Sequence, residues 1–170
     1  MSKAFTRESD DDVPDLPVLP RAAALLPPGT KNYLTPAGAL RLRRELNHLV
    51  QAERPTVAAS SDGDAKRKLQ ALDQRIIYLQ EVLQTAVITG PPPAPHDIVR
   101  FGAIVRVRER TGAESTYQIV GVDETDLDQN RVSWVSPIAK ALLNSRTGER
   151  VRFKFPAGEE ELEILSVSYE

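Results

Sequence analysis

The chain contains no cysteine, which excludes disulfide staples and thiolate-bound metal centres. Aromatic residues make up only 5% of the 170 positions, so a core has to be built from aliphatic side chains. The 41% hydrophobic content is enough for one ordinary domain or two small ones. No apolar run approaches the roughly 20 residues needed to cross a bilayer, and the first residues lack the apolar stretch of a targeting signal. A cytoplasmic protein with no membrane contact is expected. An excess of positive charge is missing as well: a net charge of −2 argues against a free-standing nucleic-acid binder that works by overall basicity, and leaves room only for local basic patches. His48 and His96 are the two histidines, and neither has a third ligand at metal spacing.

What is present falls into four regions. Residues 1–32 carry Asp10-Asp11-Asp12 and prolines at 14, 17, 20, 27 and 28, a composition that resists helix and sheet and predicts a disordered lead. Residues 33–89 carry two apolar stripes at three-then-four spacing. Ala39, Leu42, Leu46 and Leu49 form one, and Leu69, Leu72, Ile76, Leu79 and Leu83 form the other, which predicts two arms of an antiparallel coiled-coil hairpin. Thr35-Pro36 starts the first arm, with Thr35 as N-cap and Pro36 at a position where its missing N–H costs nothing. Ser60-Ser61-Asp62-Gly63-Asp64 makes the turn, with Gly63 expected in a left-handed conformation and Ser61 or Asp64 as cap of the second arm. Arms of about 24 residues project the turn roughly 35 Å from the hairpin base. Residues 90–96 contain Gly90-Pro91-Pro92-Pro93-Ala94-Pro95, expected as a stiff, extended linker.

Residues 97–170 alternate at period two. Phe101, Ala103, Val105 and Val107 point one way, with Arg106, Arg108 and Arg110 opposite; Val151, Phe153 and Phe155 alternate with Arg150, Arg152 and Lys154. Further strands are predicted at Tyr117 to Val122, Arg131 to Val135 and Glu161 to Ser168. Pro137 opens a short helix through Leu143. Glu159-Glu160-Glu161 is expected as part of a solvated turn after Pro156-Ala157-Gly158. The order β-β-β-α-β-β predicts an α+β domain with an antiparallel sheet and one covering helix.

Several short motifs, in order along both modules, carry a family resemblance. Thr35-Pro36-Ala37-Gly38, Glu45-Leu46-Asn47-His48-Leu49, Glu53-Arg54-Pro55, Phe101-Gly102-Ala103, Ile119-Val120-Gly121-Val122-Asp123-Glu124, Ser136-Pro137-Ile138-Ala139-Lys140-Ala141-Leu142-Leu143 and Pro156-Ala157-Gly158 resemble the Gre transcription elongation factors, nearest the GreB branch. The resemblance implies an N-terminal coiled coil that enters the secondary channel of bacterial RNA polymerase and a C-terminal domain of FKBP-like fold that grips the channel rim. Such a factor is not itself an enzyme. It lends tip carboxylates to Mg²⁺ in the polymerase active site, where the polymerase cleaves the transcript. The implied partner is therefore the polymerase, with nucleic acid met only indirectly and no tightly bound cofactor; Mg²⁺ enters only if the tip acts in that active site.

The chain departs from the family pattern at the tip. The Asn-Ala-Asp/Glu-Tyr stretch is missing, and the arms are shorter by roughly four helical turns in all, about two each, so the tip falls about 10 Å short. Asp62 and Asp64 are the remaining candidate carboxylates, and Asp-Gly-Asp is equally good turn chemistry. Lys66, Arg67 and Lys68 are candidate contacts for phosphates or an acidic channel wall. The docking candidates are Ser136, Pro137, Ile138, Lys140 and Asp123, with Val135 standing where the family usually has a polar residue. The arginines at 106, 108, 110, 150 and 152, with Lys154, are candidates for a basic sheet face. Three readings follow: a polymerase-binding elongation regulator with weak or absent cleavage stimulation, a cleavage factor working through Asp62 and Asp64, and an FKBP-like prolyl isomerase or chaperone. The last rests on fold analogy alone and lacks a ring of inward aromatics.

Overall fold

A computed structural model describes residues 26–170; most of the predicted lead, including Asp10-Asp11-Asp12, lies outside the described residues. The first strand among the described residues is the two-residue β1 (Tyr33–Leu34), which pairs in parallel with β2 (Val87–Ile88) and so ties the start of the hairpin to its end. Between them run α1 (Pro36–His48), a π-helical turn (Leu49–Glu53), α2 (Arg54–Ala58) and α3 (Ala65–Thr85). Thr35 caps α1 by accepting from the Gly38 amide at 3.0 Å, and Pro36 takes the first turn. Leu34, Ala39, Leu42 and Leu49 on one arm meet Ile76, Leu79 and Val82 on the other. The charged flanks are zipped by Arg75 with Glu45 at 2.8 Å and Arg54 with Asp73 at 2.6 Å.

The π turn is a feature that periodicity did not foretell. Pro55 has no N–H and its ring would collide with the carbonyl one turn earlier in a regular helix. The backbone widens just before it, with the Arg54 amide donating to Leu49 O, which lets the arm continue past the proline. The tip also differs from expectation. Gly63 is not among the glycines of positive φ, and Asp64 occupies the N-cap position of α3 without a side-chain capping bond. Asp62 closes the turn instead: its Oδ1 accepts from the Asp64 amide at 3.2 Å, and its carbonyl accepts from the Ala65 amide at 2.9 Å.

The C-terminal sheet comprises β3 (Ile104–Glu109), β4 (Glu114–Val120), β5 (Arg131–Ser133), β6 (Arg150–Phe155) and β7 (Gly158–Ser168) in the spatial order β5-β4-β3-β7-β6. The element order follows the sequence reading, but the sheet is mixed rather than wholly antiparallel, because β5 runs parallel to β4. Two 3₁₀ turns, Val122–Glu124 and Leu127–Gln129, carry the chain back so that β5 can enter in that sense. The helix α4 (Pro137–Leu142) covers one face through Ala139 and Leu142, both fully buried against Val105, Val107, Ile119, Leu162 and Ile164.

Two further expectations are corrected. Glu159, Glu160 and Glu161 belong to β7, not to a solvated turn, because a tight reversal at Pro156-Ala157 pairs Phe155 directly with Gly158. Phe155 is 38% exposed at the open end of the sheet. The proline-rich linker is not uniformly extended: Ala94-Pro95 is cis, and the His96 ring sits 3.0 Å from Pro92 O.

Candidate functional site

Two parts of the molecule carry candidate residues, and the arm separates them. From Pro36 to Ala58 the helical rise sets the tip about 33 Å from the hairpin base.

At the tip the carboxylates of Asp62 and Asp64 have different surroundings. Lys68 Nζ lies 2.7 Å from Asp62 Oδ2, and this bond, more than the Asp64 amide, holds the Asp62 carboxyl below the ordinary aspartate range. The same contact raises the Lys68 ammonium. Both oxygens of Asp62 are therefore engaged within the turn, one by an amide and one by an ammonium. The Asp64 carbonyl accepts from the Lys68 amide at 3.0 Å, and its carboxylate accepts no hydrogen bond among the described residues. A divalent ion bound jointly by the two carboxylates would have to displace Lys68, and no group of three or more potential metal ligands exists among the described residues. Lys66 and Arg67 are exposed on the first turn of α3 and form no ion pair among the described residues.

The docking candidates lie on and around α4. Ser136 is its N-cap, accepting from the Ala139 amide at 3.3 Å, and Pro137 opens the first turn. Ile138 packs against the core, whereas Pro137 and Lys140 are exposed. Val135 is half-buried. The surface that this element presents is thus Pro137 and Lys140, framed by a capping serine.

Asp123 is placed elsewhere, at the junction between the hairpin and the C-terminal domain. Its Oδ2 accepts from Asn32 Nδ2 at 2.6 Å and its Oδ1 accepts from the Tyr78 hydroxyl. Beside it lies Glu124, whose side chain is fully buried. Glu124 Oε2 accepts from the Thr35 amide at 2.8 Å and the Gly121 amide at 3.0 Å, while Oε1 takes the Thr35 hydroxyl and faces Arg41 Nη2 at 3.5 Å. The Gly38 amide donates to the same Thr35 hydroxyl, so the α1 cap and the domain junction form one relay. Two glycines make room for it. A Cβ on Gly38 would lie 1.7 Å from Glu124 Oε1, and one on Gly121 would lie 2.1 Å from Tyr33 O. The Tyr33 ring completes the junction against Phe101 at 5.8 Å and, edge-on, Trp134 at 5.5 Å. Glu124 and Gly38 stood inside quoted motifs with no role assigned. The available signal was a glycine in a first helical turn, which costs about 1 kcal/mol against alanine and usually marks a close approach.

The expected basic sheet face is divided. β7 lies between β3 and β6 and inserts Glu161 and Glu163 among the arginines. Glu161 bonds Arg152 at 2.8 Å, Glu114 takes both Arg106 and Arg108, and Glu163 lies 3.9 Å from Arg108. The guanidinium bonds hold the Glu114 and Glu161 carboxyls below the usual range. His48 faces Glu53 at 3.2 Å and His96 stacks edge-on to Tyr169. No helix among the described residues is long and apolar enough to cross a membrane.

Comparison with known proteins agrees across both modules. Residues 94–169 match the family described as transcription elongation factor, GreA/GreB, C-term. A transcription elongation factor GreB of Neisseria meningitidis is 42% identical over 155 residues, covering 82% of this chain and 95% of that protein. The GreB of Pseudomonas aeruginosa is 35% identical over 159 residues, covering 84% and 95%, and the GreA of Acidiphilium cryptum is 35% identical, covering 80% and 96%. The crystal structure of GreA factor homolog 1 of Thermus thermophilus aligns at 25% identity and a TM-score of 0.40, covering 82% of this chain and 99% of that one.

Proposed function

Because this chain belongs to the GreA/GreB family of transcription elongation factors, we propose that it is a cytoplasmic, non-enzymatic regulator that binds bacterial RNA polymerase. Its C-terminal domain grips the rim of the secondary channel through Pro137 and Lys140, framed by Ser136, while Ile138 anchors α4 to the core, and its hairpin occupies the channel. It gives little or no stimulation of transcript cleavage. The observation that carries the last point is the tip, where Lys68 closes on Asp62 and leaves Asp64 as the single carboxylate without a hydrogen-bonded partner among the described residues. Lys66 and Arg67 remain exposed beside the tip, able to meet the channel wall or a phosphate electrostatically.

Asp123 is assigned a different part. With both oxygens held by Asn32 and Tyr78, it braces the hairpin on the C-terminal domain rather than meeting the rim.

The test is to add the purified protein, with Mg²⁺, to a backtracked elongation complex and to measure both binding and release of short 3′ RNA. Binding without release is expected. Release that disappears in an Asp62→Ala, Asp64→Ala double variant would make the chain a cleavage factor; absence of binding would remove the polymerase as partner.

A further inference from the structure

The margin of the C-terminal sheet at β6 has open backbone hydrogen-bonding groups, and the ladder decides which residues own them. Among the described residues β6 pairs only with β7, in an unbroken register from Arg150–Glu163 to Phe155–Gly158. The Ile164 amide donates to Glu149 O at 2.9 Å, and Glu149 stands opposite Ile164 when that register is continued. Bonded and non-bonded pairs alternate along an antiparallel ladder, so Val151, Phe153 and Phe155 turn their N–H and C=O groups toward β7. Those of Arg150, Arg152 and Lys154 point outward, claimed by no strand among the described residues. The same phase follows from β3. Its Glu109 amide donates to Ala113 O, so Arg108 faces β7, and Glu163, paired with Arg108, faces away from Arg150.

The three residues with free backbone groups are also the cations of the edge, alternating with Val151, Phe153 and Phe155. The Arg150 and Arg152 side chains are 67% and 70% exposed, and Lys154 forms no ion pair among the described residues. The two arginines share one glutamate: Glu161 bonds Arg152 at 2.8 Å and lies 3.9 Å from Arg150, beyond hydrogen-bond reach. On the other face the Phe153 and Phe155 rings lie 5.6 Å apart, with Phe155 exposed. An added strand would set one side chain opposite each cation, with Cα atoms about 5.5 Å apart, and would turn the alternate side chains toward the phenylalanines. A second copy of β6 would place cation opposite cation. An extended segment with acidic residues at every second position and apolar residues between them satisfies both faces and the free backbone groups together.

We propose that the β6 edge receives an extended acidic segment of a partner protein as a sixth strand, with its carboxylates opposite Arg150, Arg152 and Lys154 and its apolar residues beside Phe153 and Phe155. Charges on an edge strand also serve simply to deter pairing, and the test separates the two roles. The peptide acetyl-Glu-Val-Glu-Val-Glu-Val-amide is titrated into the full chain and followed by backbone amide NMR. Saturable binding at up to about 1 mM peptide is expected. At about ten times the Kd, the amides of Arg150, Arg152 and Lys154 should exchange about tenfold more slowly, whereas those of Val151 and Phe153, already bonded to β7, should change little. An isomer with three glutamates followed by three valines has the same charge and should bind about tenfold more weakly. An Arg150→Ala, Lys154→Ala variant, which removes no side-chain hydrogen bond among the described residues, should bind the alternating peptide about fivefold more weakly. No saturable binding at about 1 mM overturns the proposal. Equal affinity for the two isomers reduces the contact to charge attraction without a strand and overturns it as well. Protection at residues 150, 152 and 154 that rises with protein concentration in the absence of peptide assigns the edge to a second copy, with the same consequence.

Discussion

Replacing Gly38 by alanine sets two effects of opposite sign against each other. By helix propensity alone, Gly38→Ala should stabilise the protein by about 1 kcal/mol. The junction demands the reverse, since the new methyl would stand 1.7 Å from Glu124 Oε1 and 2.1 Å from its Cδ. Glu124 cannot move aside cheaply: its side chain is fully buried and bonded to the Thr35 and Gly121 amides. Displacing it leaves two buried donors without an acceptor, at about 1–3 kcal/mol each. The net expectation is a loss of about 1–5 kcal/mol. At this chain length each kcal/mol lowers the melting midpoint by about 2–4 °C, which gives a drop of roughly 2–20 °C. Trp134 is the single tryptophan and packs edge-on to Tyr33 at the junction, so its fluorescence reports the transition where the damage occurs. In a Glu124→Ala background the clash is gone, and Gly38→Ala is expected to cause no further loss. A Gly38→Ala protein that melts higher than the unsubstituted chain would refute the close packing of Gly38 on Glu124.

Lys68→Ala should let the Asp62 carboxyl titrate closer to the ordinary aspartate range, measured by carbon NMR. In the unsubstituted tip the depressed folded value means that the Asp62 contact contributes above the unfolded pKa and is lost as pH falls through the folded one. If engagement of Asp62 by Lys68 limits cleavage, the same variant should also release more 3′ RNA from a backtracked complex. Glu160 is raised by burial and by its neighbour Glu109. Its folded form holds a proton that the unfolded form releases earlier, so stability falls as pH rises from the unfolded to the folded value; Glu160→Gln should stabilise the protein at neutral pH and change nothing in acid, as urea unfolding at both pH values would show. Ser136→Ala should cost about 1 kcal/mol by removing the α4 cap, whereas Ser136→Asp keeps a capping oxygen. If Ser136 also docks on the polymerase, both variants should bind more weakly in a filter or gel assay although only the first is destabilised.

The parts legible in the sequence were those governed by near neighbours. Thr35-Pro36 announced the start of α1, the leucine stripes announced two facing arms, and the alternation around Val105 and Val107 announced a strand with one buried face. What escaped depends on residues distant in the chain or on competition between close ones. Asp-Gly-Asp suggested a left-handed glycine and a capping Asp64, but Lys68, six residues beyond Asp62, draws that carboxylate into closing the turn. Glu159 to Glu161 read as a solvated turn, but β7 lies between two arginine-bearing strands, where Glu161 pairs with Arg152 on one side and Glu163 with Arg108 on the other. The parallel β4–β5 pair is set by the 3₁₀ path between them, for which no periodicity exists. Glu124 looked like one more acidic residue, and its partner Thr35 is 89 positions away.

That distant contact explains why the junction is so heavily determined. The tip stands about 33 Å from the hairpin base, so a rotation of about 10° at the junction would displace it by roughly 6 Å, more than one helical turn. If, as proposed, the hairpin threads a channel while α4 holds the rim, such play would misdirect the tip. The residues that limit it are those that a reading centred on charged tips passes over. Glu124 joins the α1 cap to the Gly121 turn, Asp123 joins Asn32 to Tyr78, and the aromatic group of Tyr33, Phe101 and Trp134 fills the space between the modules. The two glycines let backbone and carboxylate approach to distances that no other residue allows. In this chain the distance of the tip from the hairpin base is set by the length of the arms, and the direction in which the tip points is set at Glu124.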